Sequence, residues 1–321
     1  MVSPELPPAL AAGIDELVER SNRARLEAAA GRLSDAYRAE GGGRVARTAE
    51  EAAAYAAYRA PATYAAVAAV LAQLRLGRPD WRPRSLLDVG AGPGVASWAA
   101  FAAWPALEHV TLVEAEPELA ALGRRLAASA AGPLAGATWV VGDVTAASGS
   151  FDVVLASYVL NELEEERLGS TVRSLWACTA DTFVVVEPGT TTGYRRALAA
   201  RSVVLAAGGS TLAPCPHDAP CPLVAPDWCH FAVRLPRGEA HRAVKAVSRG
   251  FEDEKFSYAA LSRTPQPKVS ARIIRPPQIR TGHVHLELCE PAGIRGAIVS
   301  KRDREAYRRA RKSAWGDAWE E

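Results

Sequence analysis

From Ser85 onward, short apolar runs alternate with helical stretches, and this alternation constrains the fold more than any other feature of the chain. The runs have the length of buried strands, while the segments between them carry apolar residues at helical spacing. Strands that alternate with helices in this way form a parallel sheet through right-handed crossovers. The sequence therefore predicts an α/β, Rossmann-like fold whose first five strands are SLLDV, HVTLVE, ATWVV, FDVVLAS and TFVVVE.

Two further regions flank this alternating part. Residues 10–76 are rich in alanine, with larger apolar residues at three-to-four spacing, and are interrupted by a glycine triplet and by Pro61, which predicts three or four short helices. After residue 250, four runs predict additional strands, some of which close the sheet, and the last residues predict a basic helix. The four runs are KFSYAALS, ARIIR, HVHLELC and IRGAIVS.

Composition places the chain among globular proteins. Its 321 residues are 49% apolar, enough for one large core or for one core with a small appendage. No window approaches the roughly 18 uninterrupted apolar residues of a membrane helix, and the first residues carry prolines and acids in place of a basic, apolar leader. We therefore expect a cytoplasmic monomer with no membrane partner.

Charge is unevenly distributed along the chain. Residues 231–321 hold 19 Lys and Arg against 11 Asp and Glu, whereas residues 1–230 hold 19 against 25. A basic segment attracts phosphate through counterion release, although a solvated helix face with spare arginines gives the same count. Both interpretations stay open. Under the first, the RNA contacts are Arg302, Arg304, Arg308, Arg309, Arg311 and Lys312.

The segment DVGAGPG follows the first predicted strand and opens a helix. Its glycines let the backbone approach a ligand closely, although a tight turn between a strand and a helix needs glycine in any case. Glu114 ends the second strand, where a carboxylate accepts from both ribose hydroxyls, and Asp143 ends the third, where an acid accepts from an adenine amino group. The acid-first loop favours S-adenosylmethionine over a nicotinamide cofactor or an empty loop. The predicted cofactor-binding residues are Asp88, Gly90, Gly92, Gly94, Glu114 and Asp143.

The segment after the fourth strand reads SYVLNE and lacks the Asn/Asp-Pro-Pro-aromatic signature of many amino-group methyltransferases. Asn161 and Glu162 in this segment either orient a substrate near the methyl donor or cap the following helix. No side chain stands out as a general base. The sequence therefore leaves the catalytic residues unknown.

Four of the five cysteines form a second pattern. Cys215, Cys221 and Cys229 are close together in PCPHDAPCPLVAPDWCHF, and Cys289 follows later. An odd number of cysteines is a poor disulfide framework, and the paired C-x2-C spacing of many zinc sites is absent. The wide spacing with Cys-Pro steps favours a cuboidal 4Fe-4S cluster, whose corners each take a thiolate. Zinc and buried free thiols remain alternatives, and Cys178 is predicted to be a core residue.

Two histidines lie among these cysteines, and either imidazole is able to replace a thiolate at a metal. Because four cysteines already complete a ligand set, we interpret His217 as a residue that supports the loop. His230 is interpreted as a packed residue beside Trp228 and Phe231.

These patterns divide the chain into five parts. In order they are an N-terminal helical domain (1–83), a Rossmann-like methyltransferase core (84–208), a Cys-rich iron-sulfur module (209–250), C-terminal strands that complete the sheet and supply the last cysteine ligand (251–300), and a basic C-terminal helix (301–321). We expect the Cys-rich part to be an insertion held by its metal, so that metal loading accompanies folding of the C-terminal half.

Several stretches together match a known family. They are AAYRAPATYAA, LLDVGAGPG, VEPGTTTGY, LAPCPHDAPCP, DWCHF, FEDEKFSYAALSR and RKSAWGDAW. On these residues the chain resembles the methyltransferase-like proteins of small-ribosomal-subunit assembly, that is methyltransferase-like protein 17 of mitochondria with its yeast and bacterial relatives. The resemblance implies a Rossmann-like methyltransferase domain, a 4Fe-4S cluster on Cys215, Cys221, Cys229 and Cys289, and association with small-subunit rRNA during maturation.

Two functional hypotheses follow. In the first, the protein transfers a methyl group from S-adenosylmethionine to small-subunit rRNA in ribosome biogenesis, and the basic C-terminal half holds the RNA. In the second, it is a non-catalytic assembly factor whose cofactor loop and cluster stabilise a surface that contacts immature rRNA. The segment EDEKFSY is open to both a structural turn and a substrate contact.

Overall fold

The computed structural model of the protein describes residues 4–38, 46–130, 132–236 and 251–320. Helices and strands alternate through the middle of the chain as the sequence predicts. In chain order the elements are α1 (Pro8–Arg20), α2 (Arg23–Arg38), α3 (Ala49–Gly77), β1 (Ser85–Val89), α4 (Val95–Ala103), β2 (His109–Glu114), α5 (Pro117–Ala127), β3 (Thr138–Val141), β4 (Phe151–Ser157), α6 (Glu165–Ala177), β5 (Thr179–Pro188), α7 (Thr191–Ala206), β6 (Ser210–Ala213), β7 (Phe231–Pro236), β8 (Phe251–Ser262), β9 (Ala271–Ile273), β10 (Gln278–Arg280), β11 (His283–Glu290), β12 (Gly293–Ser300), α8 (Arg304–Ala310) and β13 (Ala318–Trp319).

The main sheet has the strand order β3-β2-β1-β4-β5-β8-β6, and β7 pairs with β8 as well. Strands β1 to β5 are parallel, and β8 runs antiparallel to β5, β6 and β7. The order reverses between β1 and β4, so a crevice opens at the carboxyl ends of these strands. The predicted Rossmann-like α/β class is confirmed.

Both faces of the main sheet are covered by apolar side chains. One core lies between the sheet and α3, α4 and α5, and another lies between the sheet and α6 and α7. Helix α3 continues through Pro61, where the sequence predicts a break. Its many buried alanines pack directly on α4 and the sheet, and this packing overrides the local cost of the proline. The N-terminal helices therefore share the core of the sheet.

The Cys-rich stretch contains more regular structure than its sequence suggests. It supplies β6 and β7 to the main sheet, so it is not simply a loop held by a metal. Its last residues, 237–250, lie outside the described ranges. Of the strands predicted to complete the sheet, only β8 joins it, while β9 to β13 form a second, antiparallel sheet with its own small core.

The predicted basic helix of residues 301–321 is much shorter in the structure. Asp303 caps α8 through the backbone N–H of Ala306, and the helix ends at Ala310. Gly316, with a φ of 98°, then turns the chain so that β13 pairs with β9. Residues 318–319 therefore form a strand that pairs with the second sheet, and the helix does not extend to the end of the chain. Within the described ranges, no helix combines the length and apolar content that crossing a membrane requires.

Candidate functional site

The glycine loop lies at the carboxyl end of β1. Gly90 and Gly92 have φ values of 61° and 55°, in the left-handed region that favours glycine. A Cβ atom at Gly90 would lie 2.3 Å from the Val159 side chain, so this position requires glycine for space as well. Gly94 is the N-cap residue of α4, with a φ of 82°, and a Cβ atom there would lie 3.1 Å from Leu112 and 3.2 Å from Trp139 behind the loop.

A pocket opens beside this loop, with a volume of ≈ 1050 Å³ including its opening to solvent. Its walls come from the carboxyl ends of β1, β2, β3 and β4, where ligands bind in open α/β sheets. Of the predicted cofactor residues, the pocket is lined by Gly90, Gly92, Glu114 and Asp143. The lining also includes Glu116, Tyr158, Glu162 and Arg167.

Glu114 is fixed by the backbone. Its carboxylate accepts hydrogen bonds from the N–H groups of Gly92, at 2.6 Å, and Glu116, at 2.8 Å. Burial raises the pKa of Glu114, and the two N–H donors act in the opposite direction by stabilising the charged form. A carboxylate held in this way links the loop to β2 and keeps lone pairs for the hydroxyls of a ligand.

Asp143 lines the pocket, but its side chain is already engaged. One carboxylate oxygen accepts from the backbone N–H and the hydroxyl of Thr145, and Arg167 lies 3.4 Å from the other oxygen. These bonds lower the pKa of Asp143, the hydroxyl of Thr145 having the largest effect. Recognition of an adenine amino group by this side chain therefore stays a prediction.

Asp88 and Gly94 do not line the pocket. Asp88 is fully buried behind the loop, where Oδ2 accepts from the Ser97 hydroxyl at 2.8 Å and Oδ1 has no partner among the described residues. Burial raises the pKa of Asp88 to about 7. Both residues shape the loop from behind, whereas the sequence places them with the ligand-contacting residues.

The segment after β4 is held by two buried carboxylates, namely Glu187, which the sequence does not single out, and Glu254 of EDEKFSY. Glu187 is fully buried at the end of β5 and accepts from the N–H groups of Leu160 and Asn161. Burial raises the pKa of Glu187 to about 8. Neither Asn161 nor Glu162 caps α6, whose N-cap position is Glu164. Their predicted capping role is therefore not observed.

Tyr158 connects this segment to β8. Its φ of 59° is left-handed, which is uncommon for a bulky residue and marks a position held by its surroundings. Its hydroxyl donates to Glu254, the second of these carboxylates, at 2.9 Å, and Arg59 of α3 lies 3.2 Å from the same oxygen. Glu254 belongs to EDEKFSY, which is part of a strand. The neighbouring Asp253 pairs with Arg234 on the surface.

Glu162 faces the pocket from the other side. Its pKa is raised to about 7, chiefly because its carboxylate is desolvated against the pocket wall and also because Glu114 and Glu116 are negative. The side chain nevertheless keeps access to solvent. Glu162 is thus exposed to solvent and has a pKa near neutrality, and both are properties of a general base.

The four clustered cysteines line a second cavity of ≈ 580 Å³, measured with its opening. Cys215, Cys221, Cys229 and Cys289 come from four separate positions in the chain, and none forms a disulfide. Cys178 is buried elsewhere, in the core beneath α6, as predicted for a core residue. Topology therefore brings together the four thiols that the sequence groups as ligands.

Two buried arginines hold the loop that carries Cys215 and Cys221. Arg201 of α7 donates to the carbonyls of His217, at 2.7 Å, and Ala219, at 2.9 Å. Arg272 of β9 donates to the carbonyl of Pro214 at 2.8 Å. Both arginines line the cavity, so their charges favour thiolates there.

Burial opposes those charges. The pKa of the Cys215 thiol is raised by burial, while Arg201 and Arg272 act to lower it. The pKa of the Cys229 thiol is raised by burial and by the three other cysteines. The two arginines do not offset this burial, so four thiolates would need further positive charge in the cavity.

The two histidines have different surroundings. His217 lines the cavity and its Nε2 lies 3.7 Å from Cys289 Sγ. His230 stacks on Trp228 at 5.0 Å and meets Trp315 edge-on at 4.9 Å, outside the cavity lining. Among the described residues, no three His, Cys, Asp or Glu side chains form a group that fits a single metal ion.

The predicted RNA-contacting cations divide into two sets. Arg309 lies over the Trp319 ring and Arg311 over the Tyr307 ring, so both contribute to packing. All six side chains are exposed, but the other four make no ion pair or ring contact within the described ranges. They are Arg302, Arg304, Arg308 and Lys312.

Comparison with known proteins gives consistent matches. The family model described as mitochondrial small ribosomal subunit Rsm22 matches residues 49–320. The human mitochondrial ribosome assembly protein METTL17 is 30% identical over 267 residues, which cover 76% of this chain and 57% of that protein. The mitochondrial Rsm22-cox11 tandem protein 2 of Schizosaccharomyces pombe is 29% identical over 292 residues, 74% of this chain and 38% of that protein. The chain thus spans about half the length of these relatives, or less.

A solved structure gives a distant match. Magnesium protoporphyrin IX methyltransferase from Synechocystis, with bound S-adenosylmethionine, has 14% identity and a TM-score of 0.44. The similarity covers 72% of this chain and 90% of that chain.

The relatives contradict the cytoplasmic location predicted from the sequence. The human protein and the fission-yeast proteins are all described as mitochondrial. The prediction rested on missing leader and membrane signals, and a missing signal does not identify a compartment. The prediction of a cytoplasmic protein was wrong.

Asp88 makes stability depend on pH. Because its pKa is about 7 in the folded protein and 3.8 ordinarily, the folded state holds the proton more tightly. Stability is therefore lost as the pH rises through this window. We expect Asp88→Asn to make the Tm depend less on pH. The Tm of the variant minus that of wild type should rise by at least roughly 2 °C between pH 5 and pH 8.

The measurement is thermal unfolding of both proteins without added ligand at several pH values. Asp15→Asn, a substitution on the exposed face of α1, is the control and should follow wild type. A Tm difference between Asp88→Asn and wild type that is the same at every pH would contradict the assignment.

Proposed function

We propose, since this chain belongs to the Rsm22 family of mitochondrial small ribosomal subunit proteins, that it acts on small-subunit rRNA during ribosome biogenesis. In this proposal it binds S-adenosylmethionine in the glycine-loop pocket and a 4Fe-4S cluster in the cysteine cavity. The observation that carries the proposal is that one chain forms both an acidic glycine-loop pocket and a cavity lined by four cysteines, each with residues suited to its ligand. The human relative's description as a ribosome assembly protein supports the same role.

The charge of the glycine-loop pocket supports S-adenosylmethionine over a nicotinamide dinucleotide. Three carboxylates, Glu114, Glu116 and Glu162, face it, and its one described cation, Arg167, pairs with Asp143. A positively charged sulfonium is favoured by this surface, whereas a pyrophosphate is repelled. Glu114 would hold the ribose hydroxyls, and the backbone at Gly90 and Gly92 would lie against the rest of the ligand.

The cysteine cavity fits an iron-sulfur cluster better than zinc. A zinc ion requires its sulfurs about 2.3 Å from one point, and the described residues contain no such group. A cuboidal cluster takes one thiolate at each of four irons and spaces the sulfurs more widely. The hydroxyl of Tyr258, which also lines the cavity, is buried with no partner among the described residues, and a sulfur acceptor in the cavity would satisfy it. Cys215, Cys221, Cys229 and Cys289 would hold the cluster, which would supply the positive charge that buried thiolates need.

A non-catalytic assembly factor is the second candidate, and the acidic pocket favours it. RNA phosphates are repelled by the carboxylates around the glycine loop, while four exposed cations that form no ion pair among the described residues lie within residues 302–312. The protein would then contact rRNA through its basic end and use the cofactor to stabilise its fold.

Methyl transfer is tested by mass spectrometry of every modified nucleotide in small-subunit rRNA from cells with and without the gene. If the protein is an enzyme, one methyl mark disappears with the gene and returns with the intact gene. We expect Glu114→Ala to leave the mark absent, because it removes the carboxylate that faces the cofactor. Glu166→Ala, on the exposed surface of α6, should restore the mark fully. An unchanged set of marks together with a small-subunit defect would establish the assembly factor.

The cluster is tested by iron and acid-labile sulfide analysis after anaerobic purification. We expect about four of each per chain, and a large loss of both in Cys221→Ser, because serine removes one of the four thiolates. The control is Cys178→Ser, since this buried cysteine lies outside the cavity and should leave the metal content unchanged. One zinc per chain without sulfide would contradict the cluster.

RNA binding by the basic end is tested through its salt dependence. Removal of one phosphate-binding cation should reduce the slope of log K against log salt by about 0.7 for single-stranded RNA. We expect replacement of Arg302, Arg304, Arg308 and Lys312 by alanine to lower the slope by up to about 3. A control removes four exposed arginines from α3, α5, α6 and α7, namely Arg75, Arg125, Arg173 and Arg195. Equal slopes for the two variants would exclude this surface.

A further inference from the structure

Two tyrosines from different elements meet at the cysteine cavity. Tyr194 lies in the first turn of α7 and Tyr258 lies in the middle of β8, and both line the cavity. Neither residue is identified by the sequence as part of the ligand set. The Tyr194 hydroxyl has a hydrogen-bond partner, whereas the Tyr258 hydroxyl has none among the described residues.

The Tyr194 hydroxyl already has a sulfur partner. It donates to Cys221 Sγ at 3.2 Å, well within the range of an O–H to sulfur bond. The bond is strongest when Cys221 is a thiolate, the form in which cysteine binds metal.

The Tyr258 hydroxyl has no partner among the described residues, although the side chain is only 7% exposed. The side chain lines the same cavity as the four cysteines. A buried donor without an acceptor destabilises a protein, so such a group indicates an acceptor that arrives with a ligand.

We propose that Tyr194 and Tyr258 are positioning residues that donate hydrogen bonds to the sulfur atoms of the cluster, Tyr194 to the Cys221 thiolate and Tyr258 to a sulfur that arrives with the cluster. The inference rests on the proposed 4Fe-4S cluster. Reduction adds negative charge to the cluster, and donors to its sulfurs stabilise that charge and raise the reduction potential. The two bonds also retain the cluster in the cavity.

The local fold directs both side chains to this place. A Cβ atom at Gly193 would lie 2.1 Å from the carbonyl oxygen of Pro188, so only glycine lets the first turn of α7 lie this close to β5. Thr190 caps the helix through the N–H of Gly193 at 3.1 Å. Tyr258 packs against Phe231 and Phe256, at ring distances of 5.4 and 6.0 Å. Replacement of either tyrosine by phenylalanine retains this packing and removes only the hydroxyl.

The test uses the full chain carrying Tyr194→Phe, Tyr258→Phe or both, with Tyr64→Phe as the control. Tyr64 is buried in α3 and does not line the cavity. We expect each variant at the cavity to have a lower reduction potential than wild type and to release iron to a chelator about tenfold faster, the effect of losing one charge-assisted bond. The double variant should exceed either single variant, and Tyr64→Phe should equal wild type.

A second measurement separates a ligand-directed role of Tyr258 from a purely structural one. In the metal-free protein, Tyr258→Phe removes a hydroxyl without a partner, so we expect its Tm to equal or exceed that of wild type. In the loaded protein the same substitution should lower the Tm, because the bond to the cluster is lost. A structural role of the hydroxyl would lower the Tm in both forms.

The outcomes distinguish failure of the proposed cluster from failure of the role given to the two tyrosines. Wild-type protein that holds neither iron nor sulfide overturns the proposed cluster and the inference with it. Wild-type protein with a full cluster, but with potentials and release rates in Tyr194→Phe and Tyr258→Phe equal to those of Tyr64→Phe, overturns only the inference. A Tm loss for Tyr258→Phe that is equal in both forms overturns the role given to that residue.

Discussion

Strand β8 runs antiparallel between β5 on one side and β6 and β7 on the other, and its side chains reach both candidate sites. Near its start, Glu254 accepts from Tyr158 of the glycine-loop pocket and pairs with Arg59 of α3. Three positions later, the Ser257 hydroxyl donates to the carbonyl of Cys229 at 2.8 Å. A buried carboxylate with two partners is costly to displace. The strand therefore fixes the position of the segment after β4 relative to the loop that carries Cys229.

The cysteine cavity lies where the two sheets meet. Cys215 follows β6 and Cys229 precedes β7, both strands of the main sheet, while Cys289 lies on β11 of the second sheet. Arg272 of the second sheet reaches across to Pro214. A cluster bound here would join the sheets by covalent bonds to sulfur, so loading and the docking of the second sheet would be a single event.

The sequence predicts the parallel strands and the glycine loop because both are local patterns. It groups Asp88 with the ligand-contacting residues because spacing along a strand does not reveal which side chains face the helix behind it. The four cysteines are recognisable from residue type alone. Arg201 and Tyr258 are not, since they lie inside patterns typical of an ordinary helix and strand, and only the topology brings them to the cavity. The second sheet is missed for a similar reason, because short strands do not specify their partners.

The glycine-loop pocket and residues 302–312 carry opposite charges, which bears on how RNA would approach the protein. The carboxylates around the glycine loop suit a cationic methyl donor and repel phosphate, whereas the unpaired cations of residues 302–312 attract it. A methylated group could then reach the pocket only as a base turned out of its strand, with its phosphates outside the acidic rim. If no base enters the pocket, the charges alone favour phosphate contact at residues 302–312 over contact at the glycine loop. The proposed contact with rRNA is therefore compatible with either hypothesis about methyl transfer.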